Sequence, residues 1–353
     1  MTRVRRRAVS ASFFFAAALI VVMLTLVLLD AVGKDPGAVA SGFIESALGT
    51  PGGRADVIST ALPMLLCASG LLLTYTAGLW NIGVEGQMVM GAIGATFIAR
   101  NVQATDTSPL IVPGELILAM LGGALWASLA AILKTKGRVN EIFGGVALNF
   151  IAQNILIYLL SGPWQGRKAA IQTGLFAPPA LLPRLASAPE LRISPLAVVL
   201  TVIAFVAVFF VLRGTHWGLQ LKAMGRSSRS AFLLGVHTER NTLIAMTVCG
   251  AMAGLAGSFQ ALFLRGQLVT GISGGIGFLG VLIVLMTNIQ AIWVPLAVLF
   301  FAIVPIGTVK LETGTLALDA SIGNVFQSAI VLAVLLMNGV RTRLMTRRSA
   351  EEA

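Results

Sequence analysis

Long apolar runs, punctuated by short polar or glycine- and proline-rich stretches, recur along nearly the whole chain. A helix crossing roughly 30 Å of hydrocarbon needs about 20 mostly apolar residues. On that measure the runs predict about ten segments: 12–33, 57–80, 85–100, 113–133, 141–161, 194–213, 241–264, 277–290, 291–308 and 321–339. Two of them, 85–100 and 277–290, are short and glycine-rich, which predicts broken or re-entrant helices. Alternating ten-residue strands between turns, the signature of a membrane β-barrel, do not occur. The predicted fold class is an all-α polytopic membrane protein, one transmembrane domain over residues 1–353.

Polar residues interrupt this pattern at a few places. In "GLWNIGVEGQMVMGAIGATFIAR" (78–100), Asn81, Glu85 and Gln87 stand close together among loosening glycines. A carboxylate and two amides in hydrocarbon are costly unless they are paired or face water. Either they line a polar path, or they satisfy backbone groups freed where a helix breaks. In the 141–161 segment Asn149 and Gln153 are four residues apart and share a helix face, with Asn154 beside them. Two amides on one face suit the edges of a nucleobase or the hydroxyls of a sugar; the plainer reading is hydrogen bonding between helices.

A weak internal echo joins two stretches. "ALPMLLCASGLLLTYTAGLWNIGVEGQMVMGAIGA" and "CGAMAGLAGSFQALFLRGQLVTGISGGIGFLG" each run a helix into a Gly-interrupted polar break containing Gly-Gln. Interrupted helices in corresponding positions of two halves point to a central substrate pathway. The glycines Gly250, Gly254 and Gly257, and those from Gly271 to Gly280, are expected to permit close helix packing.

Charge changes the picture in one respect. The chain carries a net charge of +11. In a membrane protein this reads as Lys and Arg held on the cytoplasmic side, not as a nucleic-acid surface. With the N-terminus inside and ten crossings, the inner segments 1–11, 134–140, 213–240 and the tail from Arg341 hold sixteen of the twenty-five basic residues. The outer face is near neutral: its nine basic residues meet nine acids, among them Asp106 and Glu115. Both termini are therefore expected to be cytoplasmic. The N-terminal apolar stretch is too long for a signal peptide and reads as a retained span. Cys67 and Cys249 lie in apolar runs and read as small buried hydrophobes. His216 and His237 lie in a polar loop without further ligands, so no metal or other cofactor is expected.

Two loops are long enough to have roles. The outer one, 162–193, contains five prolines and is expected to be ordered. The inner one, 213–241, is basic and carries the small residues Ala223, Gly225, Ala231 and Gly235. Within it, Ser227 to Leu234 predicts a short helix that Ser227 caps and Gly235 ends.

"NIGVEGQMVMGA" (81–92), "NEIFGGVALNFIAQNILIYLLSGPW" (140–164), "QT" (172–173) and "LKAMGRSSRSAFLLGVHTERNTLIAMTVCGAMAGLAG" (221–257) resemble the permease subunits of bacterial ABC importers of the branched-chain amino acid and simple-sugar superfamily. The resemblance runs in order over roughly residues 55 to 340 and favours the nucleoside branch over the ribose one. The sequence departs from that branch at Met286-Thr287-Asn288, where the family carries a Leu-Gly-Arg-like turn. The resemblance implies a permease core over 57–340 and a nucleoside path through Asn81, Glu85, Gln87, Asn149, Gln153 and Asn154. It also implies ATPase coupling through Ala223, Gly225, Ser227, Ala231 and Gly235. The partners implied are a separate ABC ATPase, a second permease subunit and an extracytoplasmic substrate-binding protein, in the bacterial cytoplasmic membrane. The chain has no G-x-x-x-x-G-K-[ST] phosphate loop, in keeping with a separate ATPase.

Other functions fit less well. The same machine carrying a monosaccharide such as ribose is the near alternative. An ion-coupled secondary transporter wants acids deep in several spans, and Glu85 with Glu141 at a span edge is a thin supply. An intramembrane enzyme lacks a nucleophile–base pair in the spans.

Overall fold

The computed structural model describes residues 36–166, 171–185, 188 and 191–313. The predicted spans 12–33 and 321–339, and the placement of both termini, lie outside these residues. The described chain is helical. Its elements are α1 (Pro36–Ile44, continued by a π-helical turn Glu45–Gly49), α2 (Pro51–Thr76), α3 (Val84–Ala99), α4 (Ile111–Thr135), α5 (Glu141–Ser161), α6 (Pro195–Gly214), α7 (His216–Arg226), α8 (Ser228–Leu233), α9 (Thr238–Phe259, continued by a π-helical turn Gln260–Arg265), α10 (Ile276–Met286) and α11 (Val294–Thr313).

Among the described residues five helices are long and apolar enough to cross a membrane: Pro51–Thr76, Ile111–Thr135, Glu141–Ser161, Pro195–Gly214 and Thr238–Arg265. Three shorter apolar helices, Val84–Ala99, Ile276–Met286 and Ala291–Gly307, account for the remaining predicted segments between 57 and 308. The 141–161 segment coincides with α5, whose start is marked by the Asn140 side chain accepting from the Ile142 N–H at 2.9 Å.

The predicted 57–80 segment needs correction. Its helix begins at Pro51 and ends at Thr76, because Gly78 takes a left-handed conformation (φ 74°) and the Leu79 N–H turns back to the Thr74 carbonyl. The 277–290 helix likewise stops at Met286. Asn288 and Ile289 follow at φ 52° and 59°, so the turn at the departing Met286-Thr287-Asn288 is left-handed without a glycine.

By internal packing the chain divides into two compact units, Ile58–Val298 and the flanking residues up to Val57 with those from Leu299. In the flanking unit the Phe43 ring fills the space that a side chain at Gly307 would need. In the larger unit α3, α4 and α9 cross at a seam of glycines. A side chain at Gly91 would run into the backbone of Gly254, one at Gly254 into the Ala119 carbonyl, and one at Gly123 into the Gly250 carbonyl. Helices in lipid gain little from hydrophobic exclusion and associate by close packing, for which small residues clear the way. The expected packing role of Gly250 and Gly254 is met here.

The 213–241 stretch is more ordered than its sequence suggests. Besides α8, whose Ser227 cap accepts from the Ser230 N–H at 3.2 Å and which Gly235 (φ 84°) follows, it holds α7. Thr215 caps α7 by accepting from the Gly218 N–H at 3.1 Å, and the Lys222 amine donates to the Leu212 carbonyl at the end of α6. Only a short amphipathic run marks α7 in the sequence, too short to stand out as a span.

The seam makes a direct prediction. Gly254→Val places a branched side chain against the Ala119 backbone, which cannot retreat, and should destabilise by more than about 3 kcal/mol. Gly52→Ala, in the first turn of α2 with nothing within 4 Å, should be neutral or stabilising by about 0.5 kcal/mol. Thermal unfolding of the detergent-solubilised protein measures both; equal midpoints for the two variants would rule out the seam as the packing determinant.

Candidate functional site

Between Thr76 and Val84 the chain leaves the helical path, and the N–H and C=O groups freed there need partners wherever they are buried. Asn149 provides such partners directly, and Asn81 and Gln87 pair with each other beside it. Asn81 and Gln87 exchange two hydrogen bonds, Asn81 Nδ2 to Gln87 Oε1 at 3.1 Å and Gln87 Nε2 to Asn81 Oδ1 at 3.0 Å. Asn81 Nδ2 also lies 3.2 Å from the Sγ of Cys249 on α9. Asn149 reaches across from α5: its Nδ2 donates to the Ile82 carbonyl at 3.0 Å, and its Oδ1 accepts from the Gly86 N–H at 2.8 Å. Gly86 lets α5 come this near, since a side chain there would meet Asn149.

Glu85 points the other way, to a second interruption. Between Arg265 and Ile276 the chain again leaves the helix, with Gly266, Gly271, Gly274 and Gly275 all left-handed. The Glu85 carboxylate accepts from the Gly275 N–H at 3.0 Å and from the Phe278 N–H at 3.3 Å. Those are free donors at the N-terminus of α10, where the aligned peptide dipoles favour a negative charge. A side chain at Gly277 would strike the carboxylate, so glycine there keeps the seat open. The N–H groups of the helix end stand where a basic partner for this carboxylate otherwise would.

The second interruption differs from the first in its surroundings. Asn81, Glu85 and Gln87 are all buried. Thr270, Gly271 and Gly274 are exposed, and side chains at Gly271, Gly274 and Gly275 would meet nothing within 4 Å. The glycines from 271 to 275 therefore do not serve helix packing as expected; that part is played by Gly277 against Glu85 and Gly280 against Cys67. The three left-handed glycines of "TGISGG" lie beside open space, where the sequence read as close helix packing.

The remaining residues fall in two places. Gln153 is half-buried; Asn154 is exposed, its Nδ2 donating back to the Phe150 carbonyl at 2.8 Å. Neither joins the cluster of Asn81, Gln87 and Asn149. In the 213–241 stretch Ala231 is buried and Ala223 half-buried, while Ser227 and Gly235 are exposed. Gly225 packs against the Thr76 carbonyl and, at its backbone, against Gly78, so this stretch touches the first interruption itself. Beside it the three consecutive residues Phe232, Leu233 and Leu234 stand 66%, 77% and 82% exposed. Glu115, expected at an outer edge, lies near the start of α4 and is fully buried, and its oxygens have no hydrogen-bond partner among the described residues. Nothing around it gives a reason.

Comparison with known proteins adds to this geometry. The profile of the family described as branched-chain amino acid transport system / permease component matches residues 53–335. The chain is 31% identical to the glucose ABC transporter permease protein TsgB13 of Haloferax volcanii, over 87% of this chain and 82% of that one. It is 28% identical to the guanosine ABC transporter permease protein NupP of Bacillus subtilis, over 72% and 73% respectively. Similarity extends to the galactofuranose transporter permease protein YtfT of Escherichia coli, 27% identical over 61% and 58%. No solved structure matches.

The seat of Glu85 can be tested through stability. Glu85→Gln keeps the shape and one acceptor but loses the charge, and should cost about 1–2 kcal/mol. Glu85→Leu strands the Gly275 and Phe278 N–H groups and should cost about 2–5 kcal/mol. Thermal midpoints of the purified variants should fall in that order. A Leu variant as stable as the parent would show that the carboxylate does not hold α10.

Proposed function

The chain belongs to the branched-chain amino acid transport system permease family, and on that premise we propose that it forms the translocation path of an ATP-driven importer for a nucleoside. It acts in the bacterial cytoplasmic membrane as a single permease domain, paired with a second permease subunit. An extracytoplasmic binding protein delivers the solute, and a separate ATPase drives the cycle. The nucleoside assignment draws on the resemblance of the 81–92 and 140–164 motifs to that branch and on the guanosine permease among the relatives. A monosaccharide is the second reading, favoured by the 31% identity to the glucose permease.

One observation carries the mechanism: Gly225 of the 213–241 stretch seats on Thr76 and Gly78, where the first interruption begins. A push on α7 and α8 therefore arrives at a helix break without an intervening flexible segment. The exposed Phe232, Leu233 and Leu234 give an ATPase an apolar ridge to grip, since a run of this kind on a polar surface marks a docking site. Ala231 faces inward and holds the ridge in place. The two interruptions, pinned together by Glu85, then respond as one body. Asn81, Gln87 and Asn149 keep the first break intact, and the open side of the 270–275 stretch lines the path. Gln153, half-buried one turn beyond Asn149, and the exposed Asn154 stand apart from the buried amides.

The ridge and the energy source are tested together. In proteoliposomes holding the cognate ATPase and binding protein, uptake of radiolabelled guanosine should require ATP and survive an uncoupler; glucose is the comparison solute. Phe232→Ser with Leu233→Ser should lower uptake at least tenfold at unchanged thermal midpoint, because both side chains are already in water. Full uptake in that variant removes the ridge from the mechanism. Uptake without ATP that an uncoupler abolishes removes the importer reading altogether.

A further inference from the structure

The second interruption is held at its other end by a part of the chain that no motif singled out beyond "QT". The stretch from Gln172 to Leu182, between α5 and α6, lies along the chain that leaves α9. Gln172 and Val269 form an isolated antiparallel bridge. The Thr173 N–H donates to the Leu268 carbonyl at 3.0 Å, and the Thr173 hydroxyl accepts from the Leu268 N–H at 3.0 Å. The Phe176 N–H donates to the Gly266 carbonyl at 2.9 Å, and the Leu182 N–H to the Leu262 carbonyl at 3.3 Å. Thr173, Phe176, Leu182 and Leu268 are all buried. Pro178 and Pro179 stiffen the strap where it turns, in the short 3₁₀ turn Pro178–Ala180.

The stretch 269–274 is thus bounded by two clamps. At Leu268 it is gripped by both backbone-directed groups of one threonine. At Gly275 it is gripped by Glu85. Between the clamps, Gly271 and Gly274 are left-handed and have open space beside them, so local sterics leave their conformation unset. The segment takes its position from its ends and from the buried Ile272 and Ser273 between them.

We propose that Thr173 is a positioning residue for the translocation path: with the strap Gln172–Leu182 it sets where the 269–274 stretch lies, as Glu85 does from the opposite end. This rests on the reading of that stretch as path-lining. Thr173 touches no solute. Its hydroxyl is needed because Leu268 is buried and its N–H has no other acceptor in a non-helical backbone. Transport needs the clamp closed throughout, since the strap is a fixed mount and not a lid.

Cysteines test this. Directly opposed residues of an antiparallel bridge stand close enough for a disulfide, so Gln172→Cys with Val269→Cys should cross-link on mild oxidation. Cys67 and Cys249 are buried and should not compete. Thr173→Val should lower guanosine or glucose uptake about tenfold, and Thr173→Ser should restore it. In the Thr173→Val background, closing the 172–269 disulfide should also restore uptake, because the covalent tie replaces the lost hydrogen bond. A readout that needs no solute accompanies this: Ile272→Cys, buried in the parent, should label with a water-soluble maleimide about tenfold faster once Thr173 is Val, and slowly again once the disulfide is closed. Failure of uptake with both solutes in the parent would count against the proposed function alone, and the labelling would still decide the clamp. Loss of uptake on cross-linking the otherwise unaltered chain would overturn the proposal, since the strap must then move. So would labelling that is indifferent to Thr173.

Discussion

A helix broken where it is buried leaves peptide N–H and C=O groups that need partners from elsewhere, and this constraint explains the placement of Asn149, Glu85 and Thr173 in the interior. Two breaks occur in the larger unit, at 77–83 and 266–275. Each is satisfied by groups from elsewhere in the sequence and not by its own neighbours alone. Asn149 comes from another helix to take one carbonyl and one N–H of the first break, and Glu85 leaves the first break to take two N–H groups at the second. Glu85, rooted beside the first break and bonded at the second, links the two.

Two kinds of adhesion divide the work. The glycine seam of α3, α4 and α9 supplies dense, non-directional contact, which resists sliding because backbone meets backbone. The polar pins supply direction at the points where no regular helix exists to supply it. Their energies differ in character as well. Dispersion at the seam is spread over many atoms and tolerates small shifts of any one of them. A charge-assisted bond to a helix N-terminus is lost within about an ångström of movement, so Glu85 defines a position sharply.

The sequence made the spans legible wherever a long apolar run had clear ends, as at Glu141–Ser161 with its Asn140 cap. It was misleading at residues 77–80, which are as apolar as the helix before them yet lie in the break: one left-handed glycine, Gly78, outweighs its three apolar neighbours. The polar cluster at 81–87 stood out for its cost in lipid, but its partners did not. Asn149 lies 63 residues from Gly86, and Gly275 lies 190 from Glu85. No local pattern encodes those pairings. The shared helical face of Asn149 and Gln153 was real as geometry but did not bring both amides to one site, because Asn149 is drawn into the break. Helix α7 was hidden by its length, and the strap at 172–182 by pairing through backbone groups that leave little mark on residue type.

These contacts form a continuous series across the larger unit. Gly225 seats on Thr76 and Gly78; Asn81 and Gln87 link the start of the break to α3; Glu85 on α3 holds Gly275; and Thr173 holds Leu268 at the far end of the same stretch. Spatial continuity alone does not make a series transmit force, since coupling requires an element with two discrete arrangements that both ends bias. The first break is too tightly paired to be that element. The 269–274 stretch suits it better, with fixed ends, unrestrained left-handed glycines and open space on one side. A device built this way keeps its anchors rigid and confines change to the short segment between them.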